Sequence, residues 1–305
     1  ATSGAIISEQ PPYADLSDIM TRPEDTGSVE ADLDSAGDVS LSGDLGVAEI
    51  TITGDGVVDI TGNANEASFI VGASATLDLT ADQADERVVD GEGTVNITNF
   101  NIWLSPQDLD LTGLNSDTVN VKTDIILNDD ALLGDSQITV LDGYTLTVPA
   151  SVVDGKSING EGTVAVTGDA TEVDLSNLSV ETINLIGADT VDNVTFPTLY
   201  GVPGVDDSVQ EIIITAEQAD GESINGANAG NEGNVSLSGL SDGTTVDLSN
   251  IKVALFELER QGHLSDANLG NADALTMTGN TTLTADQADD LAGSVVNPWS
   301  LLTAE

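Results

Sequence analysis

Four related passages recur at an almost fixed distance along this chain of 305 residues, and this repeat constrains its fold most strongly. Residues 79–85 read Leu-Thr-Ala-Asp-Gln-Ala-Asp; the passage returns almost unchanged at 214–220 and 283–289, with a divergent copy at 148–154. The first residues of the four passages are 69, 66 and 69 residues apart: Leu79, Val148, Ile214 and Leu283. Such a period is typical of repeat proteins, in which each unit buries its apolar face against its neighbour.

Between these passages, short stretches alternate apolar and polar residues, as Val39 and Leu41 do, and end at glycines. Alternation with a period of two predicts half-buried strands. Because 39% of the residues are hydrophobic but only 3% are aromatic, the core must consist of aliphatic side chains, which suit narrow stacked strands. We therefore predict an all-β, elongated repeat protein, a β-solenoid with short helical corner turns and about three coils per repeat. Tandem β-sandwich units are the alternative.

In the solenoid we expect the four first residues of the passages to stack at equivalent positions. Three passages contain a capping box, in which a threonine hydroxyl and a glutamine side chain satisfy each other's backbone amides. The pairs are Thr80 and Gln83, Thr215 and Gln218, and Thr284 and Gln287. The copy at Val148 and Pro149 lacks this box, so proline must set its corner. Downstream dipeptides predict tight turns with positive φ: Asp90-Gly91, Asn159-Gly160 and Asn225-Gly226.

The ends of the chain differ from the repeat region, which we assign to residues 36–296. Residues 1–35 read as an extended arm, because prolines interrupt them and only Ala5, Ile6 and Ile7 form an apolar segment. We expect this segment to add as a strand to a neighbouring copy. The tail, residues 297–305, offers a second contact through Trp299, Leu301 and Leu302. Residues 254–260 have the composition of a short helix.

Charge narrows the possible partners. Six Lys and Arg residues oppose 53 Asp and Glu residues, so the formal net charge is −47. This balance excludes nucleic-acid binding and a polybasic membrane surface, both of which need cationic groups. Self-repulsion on this scale favours a saline setting or bound divalent cations. Calcium prefers oxygen ligands, and our candidate ligands for it are Asp129, Asp130, Asp206 and Asp207.

No catalytic constellation is visible in the sequence. His263 is the only histidine and there is no cysteine, so a multi-histidine metal site and a thiolate metal site are ruled out, and we expect no His-based triad at His263. Carboxylate pairs are common, but the few cations and aromatics that would hold a sugar beside them are scattered. We predict that the chain is not an enzyme and has no cofactor other than calcium. Threonine pairs such as Thr51 and Thr53 suggest an ice-binding solenoid as a minor alternative, although they do not recur at one register.

The repeated passages resemble the strand-rich repeats of large bacterial surface and secreted proteins with tandem LTADQADG-type units, over about residues 37–296. The resemblance implies an adhesive or structural role and brings no catalytic residues. The start at Ala1 fits a mature product after signal-peptide removal.

We therefore expect an extracellular or cell-surface structural subunit that self-assembles into a filament, tube or surface layer. Its copies would join through their termini, and cations would screen or bridge them. The alternative is a surface adhesin fragment that binds a glycan or host ligand.

Overall fold

The structure, a computed structural model, describes most of the chain between residues 49 and 225 and short segments on either side. The described residues are 5–8, 14–15, 28–33, 39–42, 49–64, 66–99, 108–199, 211–225, 234–238, 251–252, 255–258, 262–263, 274–277, 281–283, 295–296 and 303–304. The chain divides into two compact units, Ala1–Tyr144 and Thr145–Glu305, and each is described by itself.

The first unit contains two ladders of parallel strands. One runs through β1 (Ala5–Ser8), β3 (Ser28–Leu33), β5 (Glu49–Gly54), β7 (Ser68–Val71), β9 (Val89–Asp90) and β11 (Leu114–Asn115). The other runs through β2 (Ala14–Asp15), β4 (Val39–Ser42), β6 (Val57–Ile60), β8 (Thr76–Thr80), β10 (Thr94–Asn99), β12 (Thr118–Val121) and β14 (Gln137–Val140). In the chain, helix α1 (Ala81–Ala84) follows β8, and strand β13 (Ile125–Ile126) lies between β12 and β14.

The second unit is built in the same way. Its main ladder runs through β15 (Thr145–Pro149), β16 (Ile158–Thr171), β17 (Leu178–Asn184), β19 (Glu211–Thr215), β21 (Asn234–Ser238), β23 (Leu255–Leu258), β25 (Ala274–Met277) and β27 (Val295–Val296). β16 also pairs with β18 (Ala188–Asp192), and β20 (Ile224–Asn225) pairs with β22 (Ile251–Lys252). A third ladder joins β24 (Gly262–His263), β26 (Thr281–Leu283) and β28 (Thr303–Ala304), and α2 (Ala150–Val153) follows β15.

Each main ladder brings together strands from successive coils of the chain. In the first unit one column of paired residues contains Val58, Leu77, Val95, Val119 and Ile138, which are 19, 18, 24 and 19 residues apart. In the second unit the corresponding column contains Leu146, Val164, Ile183, Ile212 and Val235, which are 18, 19, 29 and 23 residues apart. Parallel pairing between coils confirms the predicted all-β solenoid, whereas the alternative β-sandwich units would need antiparallel strands.

The core of each coil follows from the alternation of its strands. In β8 the side chains of Leu77 and Leu79 are buried, while Thr76, Asp78 and Thr80 are partly exposed. Stacking repeats this arrangement from coil to coil, so aliphatic columns fill the interior. The positive φ predicted at Gly91 is confirmed: its φ is 118° at a bend of the chain, and an added Cβ would lie 2.1 Å from the carbonyl oxygen of Val71.

The first residues of the repeated passages stack only in part as predicted. Val148 and Ile214 lie on one column of the second unit, two residues beyond Leu146 and Ile212. The next partners of Ile214 are Leu237, Leu258 and Met277, whereas Leu283 lies in the separate ladder of β26. The prediction for Leu283 is therefore wrong, because three coils counted from Ile214 end six residues before it.

Residues 5–8 of the predicted extended N-terminal arm form a strand that pairs within the chain. Ala5, Ile6 and Ile7 pair with Val29, Glu30 and Ala31 of the same chain, so this segment already has a strand partner. Residues 28–33 also belong to the ladder, where β3 pairs with β5, and the boundary near residue 35 stays a prediction. In the predicted tail, Thr303 and Ala304 pair with β26, while Trp299, Leu301 and Leu302 lie outside the described residues.

The helix predicted at residues 254–260 is a strand over its central part. β23 pairs on one side with β21 and on the other with β25, and it places Phe256 in register with Val235. Two parallel neighbours supply backbone hydrogen bonds that outweigh the weak helical preference of these residues.

We predict that Leu79→Ala lowers the free energy of unfolding by about 2–5 kcal/mol, because Leu79 is only 1% exposed and truncation leaves a cavity. Leu79→Asp should cost more, since it would also bury an unpaired charge. The matched control is Leu132→Ala, in which the leucine is 51% exposed and the change should stay within about 0.5 kcal/mol. Chemical denaturation measures both, and equal losses would contradict the inward placement of Leu79.

Candidate functional site

The repeated passage forms a corner whose local hydrogen bonds match the predicted capping box. At the start of α1, the Gln83 amide N–H donates to the Thr80 hydroxyl (3.3 Å), and the Thr80 amide donates to the Gln83 side chain (2.9 Å). The corner at Thr215 repeats both bonds with Gln218, at 3.1 Å and 2.9 Å. The capping box is thereby confirmed at two of its three predicted sites; the third, at Thr284 and Gln287, lies outside the described residues.

The glutamine of this corner also holds the preceding coil. The Nε2 group of Gln83 donates to the carbonyl oxygens of Ile60 and Gly62, both at 2.9 Å. The equivalent Gln218 donates to the carbonyl oxygens of Leu185 (3.1 Å) and Ala188 (2.8 Å). Ile60 lies one coil before Leu79 in its ladder, and Leu185 lies one coil before Ile214. The two glutamines therefore bind equivalent positions of the preceding coil.

The last aspartate of the passage holds the following coil. A carboxylate oxygen of Asp85 accepts a hydrogen bond from the Asp110 amide at 2.8 Å, and Asp154 accepts one from the Asp174 amide at 2.8 Å. The carboxylate of Asp110 in turn accepts from the amide and the hydroxyl of Thr112, at 2.8 Å and 2.6 Å. The seven-residue passage thus links three successive coils in the first unit, backward through Gln83 and forward through Asp85.

The divergent passage shows which part of this arrangement can be lost. Pro149 precedes α2 without any side-chain cap, and its extended φ and ψ of −60° and 147° set the corner, as predicted. Val152 stands where the other corners have glutamine, and it is buried. The forward link through Asp154 remains, so the aspartate is retained where the glutamine is not.

Among the described residues, three carboxylates on the outside of the coils have lowered pKa values. Hydrogen bonds from the Thr112 side chain and backbone lower the pKa of Asp110, and bonds from Ser176 lower that of Asp174. Asp169 has a lowered pKa because it accepts from the side chains of Thr171 and Thr190 and from the Thr171 amide. Each of these bonds favours the charged form of the carboxylate, which therefore binds a proton less readily.

In the part of the chain that the structure describes, two carboxylates have raised pKa values. Burial raises the pKa of Asp59, and the neighbouring carboxylate of Asp78, in register on the next coil, raises it further. Burial also raises the pKa of Glu222, although it accepts hydrogen bonds from the Asn193 amide (2.8 Å) and the Val194 amide (3.2 Å), which lower it. Asp59 and Asp78 mark a point at which like charges meet on adjacent coils.

Polar side chains on the outward face form columns of their own. The Asn96 amide donates to Asp78 at 2.6 Å, and the Asn120 amide donates to Asn96 at 2.9 Å, each one coil further along. On the other ladder Asn115 donates to Asp90 at 3.0 Å. These amides place donors beside carboxylates, which offsets part of the repulsion between coils.

Threonines also align in columns, and one column contains Thr145, which belongs to another predicted pair, Thr145 and Thr147. Thr76, Thr94 and Thr118 are in register in the first unit, and Thr145, Thr163 and Thr182 are in register in the second. Gln137 and Glu211 occupy the next rungs, so each column is three threonines long. The predicted pair Thr51 and Thr53 faces Ile70 and Asp32 in its ladder and forms no such column.

The predicted calcium ligands are only partly within the described residues. Asp129 and Asp130 are exposed in a turn, where the Asp130 amide donates to the side chain of Asn128 at 3.0 Å. Asn128 also donates to the carboxylate of Asp108. Asp206 and Asp207 lie outside the described residues. In the part of the chain that the structure describes, three or more metal-ligating side chains do not gather at one point, and calcium binding stays a prediction.

Sequence reasoning found the capping boxes but missed the links between coils. The signal for the forward link is the final aspartate, which stands in all four passages: Asp85, Asp154, Asp220 and Asp289. Among the described residues, neither helix has the length or the apolar run that a membrane span requires. Comparison of the chain with protein-family models, with curated proteins and with solved structures finds no match in any of the three.

We predict that Gln83→Ala lowers the free energy of unfolding by about 1–3 kcal/mol, because the carbonyl groups of Ile60 and Gly62 and the Thr80 amide lose their partner. Gln137→Ala is the matched control, since that amide donates to the carbonyl of the next residue and not to another coil. Thermal or chemical denaturation compares the two variants. A loss no larger than that of the control would show that the glutamine link does not stabilise the stack.

We predict that the stability difference between the intact protein and Asp110→Ala narrows as the pH falls through and below 3.8, the ordinary pKa of aspartate. The folded state holds the pKa of Asp110 below that value, so its contribution is complete above it and disappears as the folded carboxylate binds a proton. Denaturation at a series of pH values measures the difference, which cancels the common effect of the other carboxylates. Asp142→Ala, in an exposed turn, is the control. A gap that widens in acid would contradict the assignment.

Proposed function

We propose that this chain is a structural subunit of an extracellular or cell-surface assembly, in which its coils form part of a filament, tube or surface layer. The observation that carries the proposal is how the repeated passage uses its polar groups. Gln83 and Asp85 bind the coils before and after their own, and Gln218 and Asp154 repeat these links. The polar residues that recur along the chain therefore hold adjacent coils of the solenoid together.

Stacking between copies would use the same chemistry as stacking within the chain. A parallel ladder leaves backbone donors and acceptors along any strand without a neighbour, and such an edge pairs readily with another strand. Donation of the segment Ala5–Ile7 to another copy is not part of this proposal, since β1 pairs with β3 of its own chain. Ladder edges are the joining surfaces we propose.

Charge sets the conditions for this assembly. A net charge of −47 on each copy opposes close approach, and the Debye length falls from about 30 Å at 0.01 M salt to about 3 Å at 1 M. Exposed carboxylates in the outer turns, such as Asp129 and Asp130, are positions where bridging calcium would act. Screening or bridging cations are therefore partners in the proposed assembly.

The threonine columns favour ice binding as a second candidate function. Rungs of a parallel ladder are about 4.8 Å apart, so Thr76, Thr94 and Thr118 present hydroxyl and methyl groups at a regular spacing. Both columns are short, and Asp78 places a charge beside the first. Thermal hysteresis of the intact protein in ice-containing solution is the direct measurement for this candidate.

We predict that the purified protein stays monomeric in low salt with a chelator and forms larger assemblies as sodium chloride is raised. Sedimentation velocity and electron microscopy follow the change in size. Calcium added at constant ionic strength, with magnesium as the matched control, separates bridging from screening. If the protein stays monomeric under every condition and binds a glycan tightly, the structural proposal is wrong and the adhesin alternative takes its place.

A further inference from the structure

The second residue after each repeated passage, which we call the ninth position counted from the first residue of the passage, is held by the same backbone bond in each described copy. The amide of Arg87 donates to the carbonyl of Ala84 (3.1 Å), that of Lys156 to Val153 (2.9 Å), and that of Glu222 to Ala219 (3.2 Å). The accepting residue holds the sixth place of its passage each time. This position therefore enters the coil in one orientation of the backbone, whatever side chain it carries.

In the first passage this position carries a buried cation. Arg87 is 9% exposed, and its Nη1 group donates to the carbonyl oxygen of Ala67 on the preceding coil at 3.0 Å. Its Nε group donates to the carbonyl oxygen of Gln83 at 2.8 Å. Ala67 lies seven residues after Ile60, which holds the ladder position next to Leu79 on the preceding coil. The carbonyl group of Ala67 faces the corner.

In the third passage the same position carries a buried anion. Glu222 is 6% exposed, and its two carboxylate oxygens accept from the amides of Asn193 and Val194 on the preceding coil. These residues lie eight and nine positions after Leu185, which corresponds to Ile60. Asn193 has a φ of 55°, and this left-handed conformation turns two successive N–H groups to one side.

We propose that the charge at the ninth position selects which preceding coil a repeat can stack on, because a cation fits exposed carbonyl groups and an anion fits exposed amides. The backbone of the preceding coil, and not its acidic side chains, sets the sign. Asp192 lies close enough to Glu222 to repel it, and yet a glutamate occupies this position, because two backbone amides donate to its carboxylate. Glu66, by contrast, attracts Arg87, but carbonyl groups are its hydrogen-bonding partners.

Such selection matters in a chain with nearly identical passages. If the corner of the first or third passage stacked on the coil that belongs before the other, two repeats away, its capping box and glutamine would still fit, since those parts are the same in the two passages. The ninth residue would then meet the wrong backbone groups and leave a buried charge without partners, which is strongly unfavourable. Mismatch at this position thus penalises stacking out of register, a form of specificity gained by repulsion.

Charge reversal and charge removal at the two positions test the proposal. Arg87→Met and Glu222→Met remove the charge and keep an apolar chain of similar length. Arg87→Glu would instead place a carboxylate against carbonyl oxygens, and Glu222→Arg would place a guanidinium group against backbone amides. We expect the unfolding equilibrium constant of each reversal variant to exceed that of its methionine counterpart at least tenfold. Equal values within each pair would overturn the proposal, because burial alone and not sign would then matter.

If a reversal variant does not fold, a conservative substitution and an amide-exchange measurement test the proposal instead. Arg87→Lys keeps the cation, so it should recover part of the stability that Arg87→Met loses; no recovery would overturn the proposal. Amide exchange at Asn193 and Val194 should accelerate in Glu222→Met and remain unchanged in Arg87→Met. Acceleration of the same size in both variants would mean a general loosening and would also overturn it.

Discussion

Each coil of this protein depends on hydrogen bonds with the coils on either side. In a parallel ladder the backbone donors and acceptors of a strand point toward its neighbours, so a single coil cannot satisfy them by itself. Register is therefore the condition that all other features serve. The aliphatic columns through Val58 and Leu77, and through Leu146 and Val164, form only if successive coils are aligned to the residue. A slip by one residue would turn each buried side chain outward.

The corners enforce this alignment with side chains. A capping box fixes the turn itself, the glutamine reaches back to two carbonyl groups, and the aspartate reaches forward to an amide. Backbone groups at a corner are the ones most often left without hydrogen-bonding partners, and here side chains of adjacent coils supply those partners. In the divergent passage, proline and a buried valine replace the box and the backward link, so a stiff, apolar corner serves where polar contacts are missing.

The large negative charge is placed where the stack can tolerate it. Carboxylates such as Asp110, Asp169 and Asp174 lie on the outside of the coils, where threonine and serine groups donate to them and lower their pKa values. Asn96 and Asn120 continue the column that begins with Asp78, so amides stand where further carboxylates would repel. Asp59 and Asp78 are an exception within the described residues, and burial together with the neighbouring Asp78 raises the pKa of Asp59. The coils thus combine an acidic exterior with an aliphatic interior, and dissolved salt weakens the repulsion between the exposed charges.

The sequence alone determined the class of fold, the corner chemistry and a position of positive φ, because these depend on residues within a few positions of one another. The period of the passages, the alternation of the strands, the boxes at Thr80 and Thr215, and Gly91 are of this kind. The tertiary structure decided which strands pair: β1 with β3, the strand at residues 255–258 with two neighbours, and Met277 in place of Leu283. Coils differ in length from 18 to 29 residues, so local rules cannot count them in advance. The opposite charges at Arg87 and Glu222 likewise acquire their meaning only from the carbonyl and amide groups of another coil.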